Sequence, residues 1–552
     1  MKKLIITLLL LASLESVPAG TLNFNEASRI VIQNAGRKKP LDTFASESLQ
    51  TISGRRTFND PQTGQRLEAV EVLVSIWSGT RDWNKTPIIL ISDAALKDEL
   101  KLPRIERLFS FETLLASRTL GEFQEKLSKK EGSHEDLTAL EREAESVIGR
   151  VGLFGSILQG RALTVVPNPK TAGDGWGTMA EAGKLHGPAA AAKIAAAFQN
   201  FSHAYHTGQA DNFSAAAREL RGQLSELAPG SYPSAAAIGR EIHYNQFHPF
   251  RWAWMIYLVS FFVLLFRRAY RAGFSIFAAG LAFNLYGFVL RTWVAGRAPV
   301  TNMYESVVWV ALGVALFAFV FELIYEARVY ALSAAPIAVF GLILADMLPS
   351  VLNPNIGPLP PVLRDNFWLV THVLTITLGY AAFALAMGVA HVILGLYLFK
   401  PNSVDEKSFI HHLLYRVLQI GVLLLAAGTI LGGIWANYAW GRFWGWDPKE
   451  TWALIALLLY IFSLHGKIAG WWRNFGMAVA AAVSFNGVLM AWYGVNFVLG
   501  KGLHSYGFGG GGVQWMALIV CLDLAFVAVC VVAKARKQER PPGFSRLREA
   551  RV

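Results

Sequence analysis

From Phe250 onward the chain alternates long apolar runs with short polar ones, and this alternation limits it to one class of fold. Nine runs are long enough to cross a bilayer as helices, near 250–266, 273–294, 304–324, 332–348, 367–399, 417–436, 448–466, 475–497 and 514–533. In hydrocarbon a backbone polar group finds no water, so each run must satisfy its own hydrogen bonds by coiling. Composition agrees: 53% hydrophobic and 16% charged residues over 552 positions leave too little polar surface for a soluble chain of this length. The expected fold is a polytopic α-helical membrane protein. The net charge of +12 does not call for nucleic acid, because the basic residues gather beside apolar runs. Arg267, Arg268 and Arg271, or Lys534, Arg536 and Lys537, are placed to orient spans and to meet lipid headgroups.

Ahead of the spans, residues 1–19 combine two lysines, a short leucine-rich core and an exit at Val17, Pro18 and Ala19, the pattern of a secretory signal peptide. Residues 20–248 are polar enough for an exported soluble domain. Helical patterns near 41–53, 119–158, 187–201 and 211–227, with β-rich runs at 86–91 and 162–166, predict a mainly helical α+β unit. Residues 249–533 form the membrane domain and 534–552 a basic tail. With the soluble domain outside, the 267–271 loop and the tail fall in the cytoplasm, as their charge requires. His203 and His206 share a helix face but have no acidic or thiol neighbour in sequence, so they read as surface residues. The two cysteines, Cys521 and Cys530, lie in an apolar run and read as packing residues. No Cys-x-x-Cys occurs, which excludes dithiol exchange and covalent haem attachment.

The densest chemistry lies at 435–452, expected as a short outer loop holding Trp435, Trp440, Trp444, Trp446 and Trp452 with Tyr438 and Phe443. Asp447 suits an N-cap, Pro448 the first helical position, and Glu450 the third, so the next span begins there and Asp447 reads as structural. Capping leaves the aromatic density unexplained. Gly441 and Gly445 would let rings and backbone lie against something flat, such as a tetrapyrrole. His372 and His504 stand at outer span ends. His465 follows Pro448 by seventeen residues, about 25 Å inward at the helical rise, and His391 lies about 28 Å along the fifth span from His372. His411 and His412 fall between spans and read as solvated.

The run from Trp440 to Trp452 resembles the tryptophan-rich WWD signature of the haem-handling proteins of cytochrome c maturation, in particular the CcsA (ResC, NrfI) branch of the system II synthases. Segments 36–45 and 243–249 resemble the periplasmic part that precedes the CcsA region in fused synthases. The resemblance implies that haem b is bound, moved across the bacterial cytoplasmic membrane and presented outside for attachment to apocytochrome c at Cys-x-x-Cys-His. It assigns His372 and His504 as outer axial ligands, His465 as the inner one, and Trp440, Trp444 and Trp446 to haem contact. Arg442 and Lys449, with Lys501, are the nearest cations for the propionates. The implied partner is a CcsB/ResB-like membrane subunit carrying a second inner histidine, for which His391 is a possible substitute. The chain would then be a subunit of a holocytochrome c synthase. Other readings are a system I-type haem exporter or ligase subunit, and a haem-bearing, quinol-oxidising electron-transfer subunit.

Overall fold

The computed structural model describes residues 22–538 apart from 62, 134–136, 170–174, 350, 360, 401, 501–503 and 505–511. The expected signal peptide, Lys501 and most of the basic tail lie outside these residues. The chain divides into two compact units, Met1–Gln246 and Phe247–Val552.

The first unit is helical with, among the described residues, three two-stranded antiparallel sheets: the hairpin of Val31–Asn34 with Arg37–Pro40, then Thr57–Asn59 with Arg66–Glu68, and Ile89–Leu90 with Leu108–Phe109. In the first hairpin Asn34 pairs with Arg37, so Ala35 and Gly36 turn the chain with φ of 50° and 75°, the positive values that a two-residue hairpin needs. Helices Leu41–Ser53, Arg118–Ser133, Ala139–Leu158, Pro188–Thr207 and Ala210–Glu226 match the periodic patterns. The expected run at 162–166 supplies only an isolated bridge, Val166 to Gly177. Phe44, Trp83, Phe154, Phe201 and Phe213 fill the core. His206 gives Nε2 to the Ser78 carbonyl at 3.1 Å, and no group of three or more metal-ligating side chains forms among the described residues.

The apolar runs become helices, and among the described residues nine helices are long and apolar enough to cross a membrane, the first beginning within the first unit and the rest lying in the second. They are Ala235–Leu265, Arg267–Ala295, Met303–Tyr325, Val329–Met347, Asn366–Phe399, Asp405–Trp440, Pro448–Ile468, Asn474–Leu499 and Val513–Arg536, called here the first to ninth spans. The protein is a multi-pass membrane protein. The fifth span is central, packing against the third, fourth, sixth, eighth and ninth. Small residues permit this: a Cβ on Gly428 would lie 2.7 Å from the Ile376 Cα, so only glycine lets the sixth span approach there.

The segment 297–305 proves to be a structural clamp. Asn302 caps the third span by accepting from Glu305 N at 2.9 Å, and the buried Glu305 carboxylate receives Arg291 at 2.8 Å. Thr301 donates its N–H and hydroxyl to the same carboxylate, and Arg291 also donates to the Pro354 carbonyl. Arg297 ties to the Gly357 carbonyl at 2.9 Å. A buried charge pair costs desolvation that these added hydrogen bonds offset, and it fixes the connections at this end of the bundle.

Candidate functional site

The tryptophan-rich stretch is mostly not a loop. The sixth span continues as helix to Trp440 and stops where Gly441 takes a left-handed φ of 69°, its N–H bonded to the Asn437 carbonyl. The next helix starts at Pro448, so only 441–447 form the turn. The apolar pattern missed the extra turns because Asn437 and Tyr438 interrupt it without breaking the helix. Trp435 thereby faces the bundle with 9% exposure, beside Leu369 and Trp368.

His372 and His504, the two histidines expected at the outer face, are each anchored through Nδ1. His372 lies in a π-helical turn, Leu369–Val373, ahead of the α-helix Leu374–Phe399; such single-turn bulges recur at functional sites. Its Nδ1–H donates to the Gly428 carbonyl at 2.8 Å, and its ring meets Trp435 edge-on with centroids 5.6 Å apart. His504 Nδ1–H donates to Asp447 Oδ1 at 3.0 Å, and its ring is edge-on to Trp440 at 4.9 Å. A carbonyl or carboxylate only accepts, so both rings carry their proton on Nδ1 and keep the Nε2 lone pair. Neither Nε2 has a hydrogen bond among the described residues. His504 and Lys449 are the charged or titratable groups that act on His372, which places all three in one neighbourhood.

Asp447 has two tasks where the sequence suggested one. It caps the seventh span, accepting from Lys449 N at 2.9 Å, with Glu450 completing the capping box. It also orients His504. A carboxylate behind an imidazole fixes its tautomer and raises its basicity as a ligand. The Glu450 carboxylate receives Gly445 N at 2.8 Å, Asp447 N at 3.2 Å and Arg442 Nη1 at 3.0 Å. Arg442 is therefore engaged, and it also lies over the Trp440 ring at 5.7 Å. Among the described residues the one hydrogen bond of Lys449 Nζ goes to a neutral group, Asn496 Oδ1, at 3.3 Å.

Four of the five tryptophans fall into two pairs. Trp435 and Trp440 flank the two imidazoles, whereas Trp444 and Trp446 pack on each other at 5.9 Å, with Trp446 69% exposed and held at a φ of 56°. Sequence reading placed Trp435 in the aromatic stretch without assigning it to a histidine, and it passed over two glycines near it. A Cβ on Gly432 would lie 2.6 Å from His372 Cε1, and one on Gly433 2.6 Å from Phe443 Cζ. The run Gly428, Gly432, Gly433 on one helix was the available signal.

Toward the other end of the bundle, His465 is exposed on the seventh span and gives its Nδ1–H to the Ile461 carbonyl at 2.9 Å, again leaving Nε2. His391 differs. Its Nδ1 meets the Met387 carbonyl at 2.8 Å and its Nε2 meets Asp523 at 2.7 Å, so both nitrogens are taken and no free lone pair remains for a metal. The reading of His411 as solvated is overturned, because the sixth span starts at Val404 and places that ring inside the helix packing with 3% exposure; His412 is exposed. Cys530 is buried, but Cys521 is exposed rather than packed.

Residues 300–504 match the family described as cytochrome c assembly protein. The CcsA cytochrome c biogenesis protein of Prochlorococcus marinus is 36% identical over 247 residues, which cover 40% of this chain and 79% of that protein. The CcsA protein of Guillardia theta is 36% identical over 244 residues, 39% of this chain and 79% of its own. The chain belongs to the CcsA/NrfI-type cytochrome c biogenesis proteins. The NrfI protein of Wolinella succinogenes is 28% identical over 511 residues, 86% of this chain, and the chain spans about half of it, 54%. The stretch matched by that family model includes Glu305 but not Arg291 and ends at His504, and so takes in His372, Trp435, Trp440, Asp447 and Lys449.

Proposed function

We propose that this CcsA/NrfI-type chain takes haem b as cargo, receives it at His465, passes it to His372 and His504, and presents it there to apocytochrome c. The observation that carries the reading is the hydrogen-bond pattern common to these three histidines: Nδ1 anchored, Nε2 left with its lone pair. Haem iron already has four porphyrin nitrogens and needs only axial donors, so a pair of imidazoles completes it. Trp440 and Trp435 supply flat apolar walls beside the ligands, and Trp444 and Trp446 a second aromatic surface on the exposed side of the turn. Lys449, which among the described residues has a hydrogen bond to a neutral amide and no ion pair, suits a propionate better than Arg442, which Glu450 already neutralises.

In attachment, each cysteine S–H of the Cys-x-x-Cys-His segment adds across a vinyl C=C of the haem, forming a thioether. The contribution of this chain is to hold the macrocycle in one orientation, as a subunit of a holocytochrome c synthase. His465 points outward from the seventh span, so its site is completed by a CcsB/ResB-like membrane partner rather than by His391. The chain resides in the bacterial cytoplasmic membrane, with residues 20–248 exported after removal of 1–19, spans within 249–533 and the tail 534–552 inside. The basic residues at Arg267, Arg268 and Lys534 support that orientation.

The test is the absorption spectrum and cytochrome yield of His372→Ala and His504→Ala. Each variant is expected to reach the membrane, lose the six-coordinate haem spectrum and abolish maturation, with partial rescue by added imidazole. Normal maturation by both variants at native expression would refute the outer site.

A further inference from the structure

At the end of the bundle opposite the tryptophan turn, the termini of five spans bring basic and aromatic side chains together. Tyr397 is at the centre: Lys407 Nζ lies 4.6 Å from its ring centroid and Lys534 Nζ 5.1 Å, while Phe475 meets it edge-on at 5.0 Å. Lys534 also sits 4.1 Å from the Phe475 centroid. The His411 ring is 6.1 Å from Tyr397, and Lys467, Lys534 and Lys407 are the charged groups that act on it. Arg473 acts in turn on Lys534. Among the described residues no ion pair includes Lys467, Arg473 or Lys534; Lys467 finds only the Asn474 side-chain oxygen, at 2.8 Å.

His411 gives the second, independent observation. Its ring is buried, and among the described residues neither nitrogen has a hydrogen-bond partner. An imidazole so placed is destabilising unless something accepts its N–H. The aromatic faces stabilise the ammonium groups in part, but Lys467 and Lys534 are half-buried, and among the described residues neither has a carboxylate partner, so their charge is left for an anion to balance.

We propose that this corner binds the phosphate of an anionic membrane phospholipid, with Lys467, Lys534 and the His411 N–H as donors. Depth argues for a lipid. Tyr397, Lys467 and Lys534 stand in the last turns of the fifth, seventh and ninth spans, at headgroup level. Just inward of Lys534 the ninth span exposes Val529, Val531 and Val532, an apolar face at the depth of acyl chains. Basic pockets between span ends are where anionic headgroups dock. This proposal does not depend on the haem reading.

The full chain, delipidated and reconstituted in phosphatidylcholine nanodiscs with and without phosphatidylglycerol, tests it by native mass spectrometry of retained lipid. Phosphatidylglycerol should be retained over phosphatidylcholine. The double variant Lys467→Gln, Lys534→Gln should hold it roughly thirtyfold more weakly, at about fivefold per ammonium. Lys467→Arg, Lys534→Arg should keep it, which separates lost charge from lost fold. Equal retention of phosphatidylcholine, or unchanged retention in the glutamine variant, overturns the proposal. So does displacement of phosphatidylglycerol by inorganic phosphate or by haem at micromolar concentration, which would make this a site for a free anion or for the cargo.

Discussion

Asp447 shows how one side chain can serve a helix and a ligand together. Its Oδ1 accepts both the Lys449 N–H and the His504 Nδ1–H, at 2.9 and 3.0 Å, from a position only 6% exposed. Asparagine caps helices about as well as aspartate and still offers an acceptor, but it lacks the charge that strengthens the imidazole as a donor to iron. Asp447→Asn is therefore expected to leave helix content and membrane insertion intact while weakening haem binding roughly 10- to 100-fold, the usual cost of losing such a partner. A haem titration followed by absorbance, beside a circular dichroism spectrum, measures both. An unchanged affinity would return Asp447 to a capping role alone.

At the scale of elements, the outer histidine depends on how closely two helices approach. The π-turn at Leu369–Val373 directs His372 toward the sixth span, where Gly428 lets the helix close on the Ile376 backbone and Gly432 leaves room for the ring. Gly432→Ala would put a Cβ 2.6 Å from His372 Cε1, a contact the anchored ring cannot relieve without breaking its bond to Gly428. We expect about 1–3 kcal/mol of destabilisation, together with loss of the outer-site spectrum. Gly433→Ala makes an equally short contact with Phe443, but that ring is half exposed and can swing away, so haem binding should survive. If the two alanine variants have the same haem spectrum, helix approach does not set the ligand.

At the scale of the whole molecule, the histidine neighbourhoods lie toward opposite ends of the bundle and differ in completeness. The outer one has two imidazoles whose Nε2 atoms have no hydrogen bond among the described residues, whereas His465 is exposed and the Nε2 of His391 is bound to Asp523. The purified chain alone is expected to carry substoichiometric haem, rising when a ResB-like membrane protein is co-expressed, with that gain lost in His465→Ala. Haem-to-protein ratios from pyridine haemochrome spectra decide this. A full complement in the isolated chain that persists in His465→Ala would place haem elsewhere.

The apolar runs were enough to predict the spans, because hydrocarbon leaves a backbone no alternative to the helix. Likewise the cap at Asp447 was legible, since capping is local chemistry: the acceptor and the N–H groups it serves are adjacent in sequence. What the sequence left undecided depends on partners distant in the chain. Trp435 beside His372, Asp447 behind His504, Asp523 on His391 and Glu450 on Arg442 are all set by which helix faces meet. The sixth span decides two of the differences. Its helix starts at Val404 and runs to Trp440, so His411 passes from an expected solvated loop into the packing, and Trp435 from an expected loop into the wall of the outer site. Hydropathy underestimates a helix whose ends are polar, because those ends are stabilised by tertiary contacts that a sliding window does not contain.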